Sequence, residues 1–430
     1  MSQEQQDDPH YKKHVTELGD TRDIVASHDI YSQNGIKLLS AGARINSTMY
    51  ERIICHKLNA PLEQSLSISN PVSSSDLSEL AQRILHEHPL FERVHRTLPE
   101  NFSLAEAVGK VQLNAPLGFK LAVARDRMEE MFSHGVETAL ICGFLGHQIG
   151  LDTQQSIQLV TAGIFHDLGE LHIEPELLGR RDSLSMSERK HIYAHPLTIF
   201  LILQEFPDLY HPMVSTAVLE HHERLDGSGY PSGINQKKLG RLGRLLAVAE
   251  VVSSLYRSGA DAEPSRIRIM LKLNMHHQLD ADAIGHILSV LESDKEEAAA
   301  KSVGIGKLQG IVQKMAEQFS AWDRDYQYQM QGCTDSKRLI FLNERINMLK
   351  CALEDAGLNF NRTEMIAEMF CDDTLEALEL QGLAQEFVSK VRDIEHELKR
   401  RWPSLDQPSI DTGDEFIRSW IKRALKLTAS

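Results

Sequence analysis

The chain has 430 residues, 42% of them hydrophobic, so it is too long for one ordinary core and apolar enough to bury on the order of two or three domains. Its 61 acidic and 46 basic side chains leave a formal charge of -15, which excludes general electrostatic binding to nucleic-acid polymers or acidic lipid. An anionic substrate then needs a locally positive site, of the kind bound metal ions provide.

Five cysteines (Cys55, Cys142, Cys333, Cys351 and Cys371) are odd in number and lack CxxC spacing, which predicts reduced thiols in a cytoplasmic chain. The start is polar, and no apolar run reaches the roughly 18 residues of a membrane span, so neither a signal peptide nor membrane insertion is expected.

Three regions follow in chain order. Residues 1–70 read as a small α+β module: Asn34-Gly35 between apolar runs is a hairpin signal, and Ser47 to Leu58 reads as a helix. The Ser-rich stretch Ser67 to Asp76 reads as a linker ending in a helix N-cap. Residues 78–292 carry apolar residues at three and four spacing, with loops at Pro175, Pro207-Asp208 and Gly227 to Gly240, and predict a helical domain without a sheet. Residues 293–430 open on the charged segment Glu296 to Lys301. They then predict helices over Asp335 to Leu353, Asn361 to Met369, Thr374 to Leu398 and Phe416 to Leu427. Trp322, Trp402 and Trp420 are expected as core or interface anchors there. The fold class is mainly α.

The chemistry is concentrated in the middle region. His166-Asp167 ends the apolar helix Ile157 to Phe165, and His221-His222-Glu223 leads into Asp226-Gly227-Ser228-Gly229-Tyr230-Pro231. Neighbouring imidazoles, a His-Asp doublet and a Gly-rich turn supply the mixed nitrogen and oxygen donors that catalytic divalent metals take. Adjacent helical residues point roughly 100° apart, so His166 and Asp167 can embrace a metal from two sides. Glu130 and His134, four apart, share a helix face. Taken singly, His134 and His195 read as surface or hydrogen-bonded histidines, and Glu130 as a solvated helix residue. Glu250 does not read so, because a carboxylate within Leu-Ala-Val-Ala-Glu-Val-Val is costly to bury unless paired or metal-bound.

His166-Asp167 together with the HHExxDGxGYP string at 221–231 resembles the HD-GYP branch of the HD phosphohydrolase superfamily, whose members hydrolyse the bacterial second messenger cyclic di-GMP. The resemblance covers about residues 130–260. It implies metal ligation by Glu130 and His134, by His166 and Asp167, by His195 before Pro196, by His221 and His222, and by Glu250. It further implies a helical bundle around two or three divalent ions, iron or manganese, with His166 and Asp167 catalytic. Tyr230, Gly229 and Arg257 are the substrate-binding candidates, with Asp226 placed to orient His222 or Arg224. His147, His172, His191 and His211 have no place in this pattern and read as ordinary surface or hydrogen-bonded histidines.

Three departures bear on function. Glu170 stands where the family's phosphate-binding Lys follows the HD-Gly motif, Glu250 replaces an Asp, and Ser253 stands at the second Asp. Three readings stay open on the sequence. The resemblance implies a metal-dependent phosphodiesterase opening cyclic di-GMP; the departures keep a catalytically weak or inactive module that binds a nucleotide or a signalling partner protein, and a phosphohydrolase for another nucleotide. A homodimer is compatible with each.

Overall fold

The computed structural model describes residues 9–180, 184–257, 264–275, 277–291, 305–332, 337–356, 358, 360, 374–406 and 412–427. The expected helix at Asn361 to Met369 and the charged segment at Glu296 to Lys301 lie outside the described residues. The chain divides into two units, Met1–Ser254 and Leu255–Ser430.

The first unit opens with helix α1 (Pro9–Leu18) and four short strands: β1 (Ile24–Ala26), β2 (Ile30–Tyr31), β3 (Lys37–Leu39) and β4 (Leu66–Ile68). Strands β2 and β3 form the antiparallel hairpin that Asn34-Gly35 predicts, with Gly35 at φ 78°, a left-handed conformation that glycine adopts without strain. Strand β1 pairs with β4, Ile24 opposite Ile68, so part of the Ser-rich linker is a strand. The helix expected over Ser47 to Leu58 is shorter, a single 3-10 turn followed by α2 (Tyr50–Ile54).

The described residues of this unit go on through α3 (Ser74–Glu87), α4 (Pro89–Arg96), α5 (Leu104–Gly109), α6 (Ala115–Arg127), α7 (Glu129–Gln148), α8 (Thr153–Phe165), α9 (Pro175–Leu178), α10 (Met186–Ile192), α11 (His195–Gln204), α12 (Pro212–Glu220) and, up to Ser254, α13 (Arg241–Arg257). A capping box starts α3: the Ser73 hydroxyl accepts from the Asp76 amide and the Asp76 carboxylate accepts from the Ser73 amide. Helices α7 and α8 are buried nearly all round, which explains why they read as continuous apolar runs rather than amphipathic stripes.

His172, read from sequence as an ordinary histidine, belongs to a buried cluster that ties the N-terminal module to the bundle. The Lys120 ammonium on α6 lies 2.9 Å from the Glu63 carboxylate, donates to His172 Nε2 at 3.2 Å and sits 3.6 Å above the Tyr11 ring. Tyr11 in turn stacks on His172 at 4.8 Å. Burial opposes ionisation of Glu63, but the adjacent ammonium outweighs it and holds the carboxyl below its usual range.

The second unit is helical: α14 (Pro264–Asn274), α15 (Ala281–Val290), α16 (Ile305–Gly332), α17 (Lys337–Asp355), α18 (Thr374–Arg401) and α19 (Thr412–Ala424). Its core includes fully buried Trp322 and Trp420, ring centroids 5.5 Å apart, with Phe416 stacked on Trp322 at 5.0 Å. Arg345 donates two 2.9 Å hydrogen bonds to the Glu397 carboxylate across α17 and α18, the paired geometry a buried guanidinium requires. Ile269 and Leu273 of α14 bury their side chains in the second unit's core.

Candidate metal centre

Helices α7 and α8 cross almost backbone to backbone. A Cβ at Gly163 would lie 2.8 Å from Ala139 Cα, and one at Gly135 would lie 2.9 Å from the Ile164 carbonyl oxygen. That closeness brings His134 of α7 beside His166, which follows the last turn of α8, with ring centroids 5.2 Å apart. Asp167 then caps a 3-10 turn, Leu168–His172. Gly169 in this turn presses on the start of α11, where an added Cβ would meet the His195 carbonyl oxygen at 2.2 Å. His195 begins α11 and His221 follows α12. The Glu220 carboxylate accepts from the Gly240 amide at 2.9 Å, fixing the entry to α13 and so the helix that carries Glu250.

These elements converge on two donor groups. His134, His166, Asp167 and Glu250 form one; Asp167, His195, His221 and His222 form the other; within each, ligand atoms lie within 4.8 Å of one another. Asp167 belongs to both. Its Oδ2 faces His166 Nε2 at 3.2 Å, and its Oδ1 faces His195 Nε2 at 3.3 Å and His221 Nε2 at 3.7 Å. Glu250 Oε2 lies 2.7 Å from His134 Nε2 and 2.9 Å from His166 Nε2, while Ser254 donates to Oε1 at 2.7 Å.

Three rings are aimed by one device. The Nδ1 of His166, His195 and His221 donates to the carbonyl three residues earlier, Gly163 at 2.8 Å, Ile192 at 2.7 Å and Val218 at 2.5 Å. Each bond fixes the tautomer and leaves Nε2 bare toward the centre.

The electrostatics differ between the groups. Burial lowers His221 to about 4, and burial with crowding by His221 and His195 holds His222 well below the ordinary imidazole value, so both are neutral lone-pair donors at neutral pH. Burial also opposes charge on His166, yet the Asp167 and Glu250 carboxylates outweigh it and raise that ring well above its usual value. Burial would raise Asp167 and Glu250, but the adjacent imidazoles pull both well down.

Five imidazoles and two carboxylates gathered this closely fit divalent cations. Two buried carboxylates need positive charge between them, and the Asp167 Oδ1 atom, buried, makes no hydrogen bond among the described residues. The donor set is too large and too rich in oxygen for one compact tetrahedral zinc.

Seven of the eight expected ligands come together; Glu130 does not. It is exposed in the first turn of α7, and the helix enters the core only from Phe132 onward. Sharing a face with His134 leaves it one turn, about 5.4 Å, nearer solvent. Ser253 is occupied within the helix: its hydroxyl lies 2.9 Å from the Ala249 carbonyl oxygen and 2.7 Å from Thr138 Oγ1. Glu170 is buried in the turn after Asp167. Arg257 ends α13, half-buried and two turns or about 10 Å along the axis from Glu250.

The GYP loop is organised by a residue whose part the sequence left unassigned. The Glu223 carboxylate accepts from the amides of Ser232, Gly233 and Ile234 at 2.7, 3.0 and 3.2 Å, clasping the loop behind the paired histidines. Gly229 is pressed onto that same backbone, where a Cβ would meet His222 O and Glu223 Cα at 2.4 Å, so it serves the fit of the loop. Asp226 accepts from the Ser228 amide at 2.9 Å, an Asx turn within the loop. Tyr230 lies between two rings, His222 at 4.5 Å and Tyr193 at 4.2 Å, so neither face is open for a substrate base.

The HD domain family model matches residues 121–282. The 3'3'-cGAMP-specific phosphodiesterase 1 of Vibrio cholerae is 28% identical over 39% of this chain and 39% of its own length. A cyclic di-GMP phosphodiesterase of Pseudomonas aeruginosa is 28% identical over 34% of this chain and 36% of its own. The chain thus matches under half the length of these relatives. A solved HDG"Y"P protein, Bd1817 of Bdellovibrio bacteriovorus, aligns over 63% of this chain and 95% of its own with 17% identity and a TM-score of 0.36. Residues 121–282 match the HD domain family, and within them His166-Asp167 meets the clasped HHE and GYP segments in one centre, as the resemblance to the HD-GYP proteins implies.

Proposed function

We propose that this chain is a metal-dependent phosphodiesterase that opens a cyclic dinucleotide, cyclic di-GMP first among them, to the linear dinucleotide and on to GMP. The observation that supports this most is the sharing of Asp167 between the two donor groups, one carboxylate oxygen turned toward each. His134, His166, Asp167 and Glu250 would hold one ion and Asp167, His195, His221 and His222 the other, with iron or manganese suited to this mixed set. Such ions supply Lewis acidity, lowering the pKa of water and neutralising charge that builds on phosphorus. The protein's part is to aim Nε2 of His166, His195 and His221 at the centre, to keep Glu250 aimed through Ser254, and to seat the loop behind His222 through Glu223. The relatives' names as cyclic dinucleotide phosphodiesterases support the same substrate class.

The test uses the full chain, purified anaerobically and loaded with iron or manganese. Cyclic di-GMP is expected to be hydrolysed in a metal-dependent way, and Asp167→Ala is expected to lose metal and abolish turnover. Activity persisting in that variant would sink the assignment. A second reading, a nucleotide-binding module without turnover, is favoured by Glu170 buried after Asp167 where the family carries a cation. It predicts metal and ligand binding with no product at high enzyme concentration, and a measurable rate eliminates it.

A further inference from the structure

The rings on one side of the centre form a column running outward from the metal donors. His221 and His222 have centroids 4.1 Å apart, His222 and Tyr230 are 4.5 Å apart and near parallel at 25°, and Tyr230 and Tyr193 are 4.2 Å apart at 30°. His195 meets the same column edge-on, 5.0 Å from His222. Tyr230 is stacked by His222 and Tyr193, so the outer end of the column is Tyr193, half-buried at the C-terminal end of α10.

One helical turn before it lies Arg189. The Tyr193 amide donates to the Arg189 carbonyl at 2.8 Å, a bond that places the two side chains on one face of α10. Arg189 is itself half-buried, and its Nε is buried without an acceptor among the described residues. A guanidinium nitrogen withdrawn from water without a partner costs free energy that an arriving acceptor would recover. A flat π-face and, one helical turn away, a guanidinium with its Nε unpartnered among the described residues match the two parts of a nucleotide, a base that stacks and a phosphate that accepts.

We infer that Tyr193 and Arg189 form a nucleotide-binding subsite at the outer end of this column, Tyr193 stacking on a purine base of the substrate and Arg189 receiving its phosphate. The inference rests on the phosphodiesterase reading and supplies it with a cation, since Glu170 has the wrong sign and Arg257 stands two turns beyond Glu250. It assigns base contact to a residue outside the HD and GYP motifs.

The experiment uses the full chain loaded with manganese, with cyclic di-GMP as substrate and GMP and inorganic phosphate as competitors. Tyr193→Leu is expected to raise KM about five- to a hundredfold, the range of one base stack, while kcat stays within about threefold. The same variant should weaken inhibition by GMP and leave inhibition by phosphate and the metal content unchanged, and Tyr193→Phe should behave as the parent. Arg189→Gln is expected to raise KM by about tenfold or more and to weaken inhibition by both competitors.

A parental KM in Tyr193→Leu, or a fall in kcat at constant KM, overturns the subsite and leaves the phosphodiesterase reading standing. If Tyr193→Leu loses its metal, Arg189→Gln decides, and a parental KM there overturns the inference. A fully metal-loaded parent chain that neither binds nor hydrolyses any cyclic dinucleotide overturns the functional reading and this subsite together.

Discussion

Glu223 shows how a single side chain can serve the centre without lying in it. Its two carboxylate oxygens accept from three consecutive amides, Ser232, Gly233 and Ile234, while its own backbone abuts Gly229. Loops that run beside a buried site must find partners for their N–H groups, and here one ionised carboxylate satisfies three of them. Glu223→Gln keeps the shape but removes the charge and turns an NH2 group toward amides that need an acceptor. Hydrogen bonds to charged groups contribute about 1.5–3 kcal/mol each, although the three share one carboxylate and will not sum. The expected loss is about 2 kcal/mol, read in thermal unfolding as a fall of roughly 4–8 °C in the transition of the first unit. Because the loop backs His222 and Tyr230, KM should rise as well; an unchanged unfolding temperature would show that water replaces the carboxylate at no cost.

At the scale of elements, the centre depends on places where backbones touch. Gly135 and Gly163 let α7 meet α8, and Gly169 lets the turn carrying Asp167 meet the first residue of α11. Gly169→Ala would put a methyl carbon 2.2 Å from the His195 carbonyl oxygen, a rigid backbone atom, so the turn and α11 must part. His195 and Asp167 Oδ1, now 3.3 Å apart, would separate with them. The expected result is a drop in metal content and turnover with the helix content by circular dichroism unchanged; full metal occupancy in this variant would mean that the contact gives way elsewhere. These contacts also mark the limit of what the sequence discloses. That His166-Asp167, His221-His222, His195 and Glu250 lie together is legible in the sequence because potential metal donors are specified by residue type and sit at characteristic spacings. Glu130 lies apart from both donor groups because four-residue spacing fixes a face but not the depth at which a helix enters the core. The pairing of Ile24 with Ile68, the clasp at Glu223 and the stacking of Tyr193 on Tyr230 join residues through the fold, and no local period announces them. Strands of three residues are likewise too short to carry an alternation.

For the whole molecule the dominant quantity is charge. The formal value of -15 lies far from neutrality, so the cyclic dinucleotide proposed as substrate, with its two phosphodiester groups, would approach against a repulsive field before reaching any local positive site. The centre's own charge acts over a few ångströms, since Asp167 and Glu250 are buried and would be matched by the ions the donor groups could hold. Salt separates these ranges: the Debye length falls from about 30 Å at 0.01 M to about 8 Å at 0.15 M, which screens the distant carboxylates but not contacts within the site. Raising ionic strength across that interval is therefore expected to increase kcat/KM for cyclic di-GMP by a few-fold, through association, with kcat unchanged. A protein that steers its anionic substrate over long distance would show the reverse slope. A fall in kcat/KM with salt would mean that the local field of the metal centre and Arg189 reaches beyond the protein surface and outweighs the net charge, and the substrate would then be drawn in rather than admitted by chance encounter.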